Sequence, residues 1–254
     1  LRGTVTYAKN EILEKDEPES VKGTYRSITG RSINTLWGLQ AERLFTEDDF
    51  INGELKPGIP KPELGTEVRP GDIKYVDMND DGVITEADEG YIGGTKDPRM
   101  VYGFGGNLNY KQWDFSFFFR GTIGNKVLNN PRAAYANNTY LIGTNALDDE
   151  LTYTMKESSR VCSYYLENGS FIRLDNLALG YTFDTKKINW LDKARLYFAA
   201  QNLFVITGYK GLDPEVELFR GESSDTDAGL SPGIEPRQFF PKARTFTLGV
   251  NLTF

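Results

Sequence analysis

The sequence predicts an all-β fold in which antiparallel strands form part of the wall of a transmembrane β-barrel. Six segments alternate apolar and polar residues, and short connectors alternate with long ones along the chain. No stretch approaches the roughly 20 consecutive apolar residues that a membrane helix needs. A barrel strand needs an apolar residue only at every second position, so a hydrophobic content of 39% is compatible with a membrane barrel.

The final segment, residues 245–254, has the clearest alternation. Threonines, Gly249 and Asn251 share one face, and the other face carries Phe246, Leu248, Val250, Leu252 and Phe254. A period of two indicates a strand with one apolar face. The segment ends on an aromatic residue without a polar tail, which suits a strand whose outer side meets lipid and an aromatic girdle.

Five further segments follow the same rule, and they are residues 1–10, 101–110, 113–120, 170–184 and 194–204. In the strand of residues 113–120, only Phe118 breaks the pattern. In the fourth strand the apolar parity changes after Leu174, which predicts a β-bulge near Asp175 or Asn176. Each segment has roughly the length that a tilted membrane-spanning strand requires.

The connectors predict which end of each strand faces outward. Residues 111–112 and 185–193 are short connectors, whereas residues 10–100, 121–169 and 205–242 are long. Outer-membrane barrels have short periplasmic turns and long extracellular loops. The three long connectors are therefore predicted to be extracellular loops.

The strand count and the first residues predict that the chain is part of a larger protein. Bacterial barrels have at least about eight strands, so another chain or a further N-terminal part should supply the rest of the wall. The sequence begins at Leu1, with neither a start Met nor a signal-like segment. Left alone, the six strands would expose two open edges and should aggregate.

The composition narrows the possible function classes. A formal net charge of −7 is atypical of a nucleic-acid-binding protein, so no nucleic acid is expected as a partner. The absence of histidine removes the commonest general base and transition-metal ligand, and the single Cys162 can form no internal disulfide. We therefore expect that the protein is not an enzyme, and no catalytic residue is assigned.

Residues 77–88 (DMNDDGVITEAD) match the spacing of a calcium-binding loop. Such a loop has oxygen ligands at positions one, three and five, glycine at position six and an acid at position twelve. The predicted calcium ligands are Asp77, Asn79, Asp81, Val83 through its carbonyl, Thr85 and Asp88. Asp88 replaces the usual Glu and the flanks do not predict paired helices, so the expected calcium is structural. The alternative is an acidic turn whose Asp and Asn side chains bond their own backbone.

Several motifs resemble those of one transporter family. They are Arg69–Gly82 (RPGDIKYVDMNDDG), Val101–Leu108 (VYGFGGNL), Phe171–Tyr181 (FIRLDNLALGY), Ala200–Phe204 (AQNLF), Tyr209–Glu215 (YKGLDPE) and Thr247–Phe254 (TLGVNLTF). In this order they resemble the C-terminal part of SusC/RagA-type TonB-dependent outer-membrane transporters. The resemblance runs over nearly the whole chain and is weakest in residues 121–169 and 221–236.

The resemblance implies a barrel of about 22 strands in the outer membrane of a Gram-negative bacterium. Residues 1–254 would form the C-terminal portion of that barrel and would contain none of its plug, TonB box or signal peptide. The implied activity is TonB-dependent import of glycan fragments beneath a SusD-like surface lipoprotein that acts as a lid. The expected partners are the remaining N-terminal barrel and plug, that lipoprotein, TonB, lipid and the glycan or peptide substrate.

Three alternatives stay open at the level of the sequence. A transporter of the same family could import oligopeptides, and a passive porin would keep the strands but lack plug and lid. A soluble carbohydrate-binding β domain stabilised by calcium would share the aromatic residues and the calcium loop. Aromatic loop residues could stack on a substrate or pack within the loops, so no substrate-binding residue is assigned among Trp37, Tyr135, Tyr140, Tyr164 and Tyr209.

Overall fold

The computed structural model describes residues 1–16, 19–22, 25–33, 35–63, 67–136, 147–148, 160–216, 235 and 240–254. The strands in these ranges are β1 (Arg2–Tyr7), β2 (Glu19–Lys22), β3 (Tyr25–Ile28), β4 (Thr35–Leu39), β5 (Ala41–Leu44), β6 (Phe50–Ile51), β7 (Glu54–Leu55), β8 (Lys61–Pro62), β9 (Ile73–Tyr75), β10 (Val83–Ile84), β11 (Glu89–Thr95), β12 (Met100–Tyr110), β13 (Trp113–Ile123), β14 (Lys126–Leu128), β15 (Leu166–Asn168), β16 (Phe171–Phe183), β17 (Lys193–Thr207) and β18 (Thr245–Thr253). Helix α1 spans Asn130–Tyr135. Within the described ranges, no helix has the length and apolarity that crossing a membrane would require.

Six strands form one large sheet in the order β1-β12-β13-β16-β17-β18. They are the six segments that the alternation predicts, and every neighbouring pair is antiparallel. Strands β13 and β17 continue beyond the predicted segments to Ile123 and Thr207, because their backbone pairing with β12 and β16 extends that far. The all-β antiparallel fold is therefore confirmed.

Direct cross-strand pairs place the apolar side chains on one side of this sheet. One row of paired residues consists of Leu108, Phe115, Leu179, Phe198 and Leu248. We call this side the apolar face. It is open to the surroundings, since Leu248 is 74% exposed and Leu108 is 54% exposed. A continuous exposed apolar surface of this kind requires lipid or protein to cover it.

The opposite side of the large sheet, which we call the polar face, carries small and polar residues. One of its rows consists of Asn107, Ser116, Ala178, Ala199 and Thr247. Phe118 also lies on this face, where it directly opposes Gly105. A Cβ atom at Gly103 or Gly105 would come within 2.9 Å of the Phe118 ring, so the ring fills the space that two side chains would occupy. The single break in the predicted alternation is thus compensated by glycines on β12.

A β-bulge in β16 explains the change of apolar parity in that strand. On β13, Phe118 pairs with Asn176, whereas the next residue, Phe119, pairs with Leu174. Asp175 is therefore the extra residue, and the predicted bulge near Asp175 or Asn176 is confirmed. The insertion keeps the apolar residues on both sides of the bulge on the apolar face.

The connectors divide between the two ends of the large sheet as predicted. The two short connectors lie at one end, the inner end, where Lys111 adopts a left-handed φ of +53° in the tight turn between β12 and β13. The long connectors leave the opposite end, the outer end, which is marked by Met100, Ile123, Phe171, Thr207 and Thr245.

The first and second long connectors share one hydrophobic core. Its buried residues are Leu39, Ile73, Tyr75, Ile84, Leu128, Ala133, Ala136, Cys162 and Tyr165. A parallel bridge joins Leu39 to Cys162, and burial raises the pKa of the Cys162 thiol to about 11. Ile84 is only 1% exposed, so it anchors residues 77–88 in this core. Where the connectors are described, they also carry a sheet ordered β11-β4-β3-β2 and four two-stranded pairings.

Candidate functional site

The polar face carries a bidentate ion pair near the inner end. Arg195 on β17 donates from Nε to Asp114 Oδ2 at 2.8 Å and from Nη2 to Asp114 Oδ1 at 2.5 Å. The pair crosses β16 above Gly180, where a Cβ atom would collide with both side chains. This ion pair therefore links β13 to β17 across β16, on the face of the sheet that is expected to meet water.

The densest polar cluster lies around Arg173 at the outer end. The Arg173 side chain is 1% exposed and donates to Asp213 Oδ1 at 2.6 Å and to the Asn202 side-chain oxygen. Its guanidinium carbon also lies 5.5 Å from the centre of the Phe171 ring. A buried charge is stable only when it is paired and hydrogen-bonded, so these partners are required for Arg173 to remain inside.

Glu215 connects the same cluster to neighbouring strands. It accepts two hydrogen bonds from Arg120, at 2.5 and 2.9 Å, and an ion pair from Lys242 at 3.0 Å. Arg120 also contacts the bulge residue Asp175 at 3.0 Å. Burial raises the pKa of Glu215, but the hydrogen bonds from Arg120 and Lys242 outweigh burial and hold the pKa below its usual value. We call Arg120, Arg173, Asp213, Glu215 and Lys242 the outer-end network.

Asn202 links this network to the last strand. It has a left-handed φ of +51°, a conformation that asparagine tolerates better than most residues. Its side-chain oxygen accepts from Arg173, and its amide nitrogen donates to the carbonyls of Lys242 at 2.7 Å and Ala243 at 3.2 Å. The chain entering β18 is thereby fixed to β16 and β17.

Sequence reasoning did not find the outer-end network. Arg173 lies in the motif FIRLD and Asp213 and Glu215 lie in YKGLDPE, whereas Arg120 and Lys242 belong to neither motif. The sequence did contain one signal of this network. Arg120 and Arg173 are charged residues within segments that are predicted to span the membrane. Their pairing with residues 213 and 215 could be identified only once the register of the strands was known.

A second buried polar contact holds the third long connector. Glu235 is fully buried, and its carboxylate accepts from the Tyr209 hydroxyl and from Leu212 N at 3.2 Å. Its own N–H donates to Leu128 O at 3.1 Å, which joins the third connector to β14. Burial raises the pKa of Glu235, the hydrogen bond from Tyr209 lowers it, and the nearby charges of Glu167 and Asp213 raise it; the net shift is upward.

The predicted calcium loop is a compact turn. Asp77 accepts from Gly82 N at 2.7 Å and Asp81 accepts from Val83 N at 2.9 Å, while Asn79 Oδ1 accepts from Asp81 N at 3.1 Å. Gly82, at position six, has a φ of +84°, as the sharp turn of a calcium loop requires. These are the bonds that the acidic-turn alternative predicts, and each side-chain oxygen keeps a second lone pair for a cation.

Asp88, at position twelve, is buried, whereas the other acids of the loop are half-buried or exposed. It is fully buried, and its two oxygens accept from Met78 N at 2.9 Å and from Thr85 N at 2.7 Å. Burial raises the pKa of Asp88, but the backbone hydrogen bonds outweigh burial and lower it overall. Among the described residues, no three side chains of His, Cys, Asp and Glu are grouped so that they could hold a metal ion.

The aromatic residues considered for substrate contact occupy different environments. Tyr209 is 6% exposed and bonded to Glu235, so it is a packing residue. Tyr164 packs edge-on against Tyr165 and lies 5.3 Å from the guanidinium carbon of Arg132. Trp37 is half-buried on β4, Tyr135 ends helix α1, and Tyr140 lies outside the described residues.

The chain is similar to curated receptors over most of its length. It is 30% identical over 239 residues to TonB-dependent receptor P3 of Formosa agariphila, covering 89% of this chain and 22% of the relative. It is 29% identical over 248 residues to TonB-dependent receptor P26 of the same organism, covering 91% and 24%. It is 30% identical over 200 residues to TonB-dependent receptor SusC of Bacteroides thetaiotaomicron, covering 73% and 18%. No protein-family profile matches the chain.

Solved structures share the fold. The RagAB peptide transporter aligns with a TM-score of 0.68 at 19% identity, covering 99% of this chain and 26% of the solved chain. The RagAB peptide importer in its closed-closed state aligns with a TM-score of 0.66 at 19% identity, covering 99% and 27%. The chain thus spans about a quarter of the length of the proteins that it matches.

The receptor relatives agree with the expectation that the chain is not an enzyme. They argue against the soluble carbohydrate-binding domain, since such receptors lie in the outer membrane. The six-stranded sheet, its exposed apolar face and these similarities lead to one conclusion. The chain belongs to the SusC/RagA-type TonB-dependent receptors, which are outer-membrane β-barrel proteins, and it forms part of the barrel wall with its long connectors.

Proposed function

We propose that the complete protein imports glycan fragments across the outer membrane by a TonB-dependent mechanism, with a SusD-like lipoprotein as its lid. The observation that carries TonB-dependent import is the 30% identity to TonB-dependent receptor SusC over 73% of the chain. The polar face supports it, because its hydroxyl, amide and ion-paired groups would line a water-filled interior through which an oligosaccharide could pass.

An oligopeptide substrate is the second candidate. The solved RagAB proteins, which share the fold of this chain, are described as a peptide transporter and importer. Both candidates use the same wall and the same lid, so the difference between them lies in the contacts with the substrate.

The proposal is tested by deleting the gene and growing the strain on single defined carbon sources. We expect growth to fail on at least one oligosaccharide, to persist on the corresponding monosaccharide and to return when the gene is restored. Removal of TonB should abolish the same growth. A defect confined to peptides would select the second candidate, and normal growth of the TonB-deficient strain on that oligosaccharide would contradict active import.

The loop of residues 77–88 is proposed to bind one structural calcium ion. Asp77, Asn79 and Asp81 would supply side-chain oxygens, Val83 its carbonyl, and Thr85 an oxygen directly or through water. Asp88 would close the site through the lone pairs that its backbone hydrogen bonds leave unused. Extracellular calcium sites have Kd values of roughly 10⁻⁴ to 10⁻³ M, which suits an ion that stabilises an external loop.

A further inference from the structure

A cavity of about 260 Å³ lies on the polar face at the outer end of the large sheet. It lies between Thr122 on β13, Phe171 on β16 and residues 214–216 of the third long connector. Thr122 pairs directly with Phe171, two positions beyond the pair of Arg120 and Arg173 that faces the outer-end network. The cavity therefore opens toward the interior of the barrel, where a substrate entering from outside would pass.

Hydrogen bonds and ion pairs fix the walls of this cavity. Glu215 is held by Arg120 at 2.5 Å and by Lys242 at 3.0 Å, which immobilises the connector on one side. On the other side, Thr122 donates to Asn125 Oδ1 at 3.0 Å, and Gly169 N donates to Asn125 O at 3.0 Å. A pre-formed wall of this kind lowers the entropic cost of binding a ligand.

The charges around the cavity leave one cation uncompensated. Asp97 pairs with Lys96 at 3.5 Å, and Glu215 is paired with three cations of the outer-end network. Lys126, at the start of β14, also lines the cavity and is half-buried. In the part of the chain that is described, no hydrogen bond or ion pair is formed by its ammonium group. Its stem lies against Gly94, where a Cβ atom would collide with it, so the side chain is confined.

The remaining wall is largely apolar and comes from Pro98, Val127, Phe171, Pro214 and Val216. A half-buried ammonium group beside apolar surface is best satisfied by an anion, because a charge-assisted hydrogen bond is stronger where water is excluded. Strands β13 and β16 have neighbours on both sides, so a peptide could not bind here by adding a strand to the sheet.

We propose that this cavity binds a carboxylate-bearing sugar residue of the imported oligosaccharide, with the Lys126 ammonium paired to the carboxylate. The inference rests on the proposed glycan import and specifies its substrate class as acidic oligosaccharides. The carboxylate is held by Lys126, while Phe171 and Pro214 cover an apolar side of the ring.

The test uses the complete transporter purified in detergent. Calorimetry measures the Kd of a galacturonic acid trimer, a neutral galactose trimer and a glutamate tripeptide for the wild type and three variants. The variants are Lys126→Met, Lys126→Arg and, as a matched control at the inner end, Lys186→Met, whose parent side chain is 89% exposed. Gel mobility without heating reports whether each barrel is folded.

We expect Lys126→Met to weaken binding of the acidic trimer roughly tenfold, the loss of one hydrogen bond to a charged group. The neutral trimer should bind Lys126→Met and the wild type equally, Lys126→Arg should restore affinity, and Lys186→Met should change nothing. Equal affinity of the wild type and Lys126→Met for the acidic trimer overturns the carboxylate site but leaves glycan import intact. Lys126-dependent binding of the tripeptide alone overturns the assignment to a sugar. Failure of the acidic trimer to bind the wild type overturns the carboxylate site, whereas glycan import stands or falls with the growth experiment.

Discussion

Single residues fix the outer end of the barrel wall. Arg173 is almost fully buried and satisfies its charge through Asp213 on a connector, while Asn202 ties it to the approach of β18. Removing one partner of a buried ion pair leaves an uncompensated charge and is strongly destabilising. The third long connector is therefore held to the wall by electrostatics as well as by packing.

The calcium proposal is tested at its two strongest ligands. Replacing Asp77 and Asp81 together by Ala should make residues 67–95 more sensitive to protease, because the loop loses both the ion and the turn bonds. Calcium at about ten times its Kd would stabilise the wild type by about 1.4 kcal/mol. Limited proteolysis with and without a chelator measures the effect.

Asp80 supplies the control for that experiment. It lies in the same loop, has a left-handed φ of +58° and is not a proposed ligand. Asp80→Asn removes one negative charge but retains a residue that tolerates this conformation, so it should respond to chelator as the wild type does. A digestion pattern unaffected by both the double substitution and the chelator would refute calcium binding.

The buried Glu235 predicts a pH dependence of the third connector. Its folded-state pKa is raised above the usual 4.5, so protonated Glu235 stabilises the docked connector at low pH. This stabilisation is lost as the pH rises through the raised pKa. The equilibrium constant for undocking of the third connector should change by at most about tenfold per pH unit. Amide exchange at residues 208–216, corrected for its intrinsic pH dependence, should show weaker protection at pH 8 than at pH 5.

Glu235→Gln separates this effect from general pH sensitivity. The amide stays neutral at every pH and its oxygen can still accept from Tyr209 or Leu212. Protection of residues 208–216 in this variant should therefore change little between the two pH values. The same pH dependence in both proteins would mean that another group titrates.

At the scale of the element, alternation determines which side of each strand faces lipid. Phe117 lies in the middle of β13, pairs with Gly106 and Leu177, and packs against Phe104, Phe115 and Phe119 on the apolar face. Its neighbours are apolar on every side, which is the surrounding expected near the centre of a membrane.

Phe117→Asp should therefore reduce insertion of the barrel. A charge on the lipid face near the midplane costs about 2 kcal/mol, and the aromatic contacts are also lost. Ser116→Asp is the matched control, since Ser116 is adjacent but lies on the polar face. The yield of folded protein in outer-membrane fractions measures both, and equal yields would show that the two faces are assigned wrongly.

The bulge at Asp175 is tested by deleting that residue. A one-residue shift would turn every upstream side chain of β16 to the opposite face, placing Arg173 against lipid and Leu174 inside. We expect loss of the folded species that migrates faster on unheated gels. Asp175→Asn keeps the bulge and removes only the ion pair with Arg120, so it should still fold.

At the scale of the whole molecule, the large sheet has two free edges. Strands β1 and β18 each pair on one side only within the described residues. Their unpaired backbone groups are unfavourable in lipid, and the exposed apolar face is unfavourable in water. The wall is complete only when further strands close it.

This predicts that residues 1–254 produced alone will not form a discrete species in detergent. We expect large aggregates on size exclusion, and a smaller, homogeneous species when the remaining part of the transporter is refolded together with them. A stable monomer of residues 1–254 that unfolds cooperatively would contradict the need for further wall.

The sequence by itself determined the six strands, their facing and the division into short turns and long connectors. It could do so because a period of two is a local property, and because a strand between lipid and water must repeat it. The alternation of apolar and polar residues can be recognised in residues 246–254 and in residues 113–119 without knowledge of any other part of the chain.

Only the tertiary structure decided the outer-end network, the buried Tyr209–Glu235 contact and the cavity beside Lys126. Their residues are far apart in sequence, and Arg120 meets Glu215 only when strand register and connector path are both fixed. Pairing energies of this kind depend on distance and burial in space, which no local pattern contains. Asp88 is buried and accepts hydrogen bonds from two backbone N–H groups. The calcium-loop motif specifies only the spacing of residues, so it could not predict this burial.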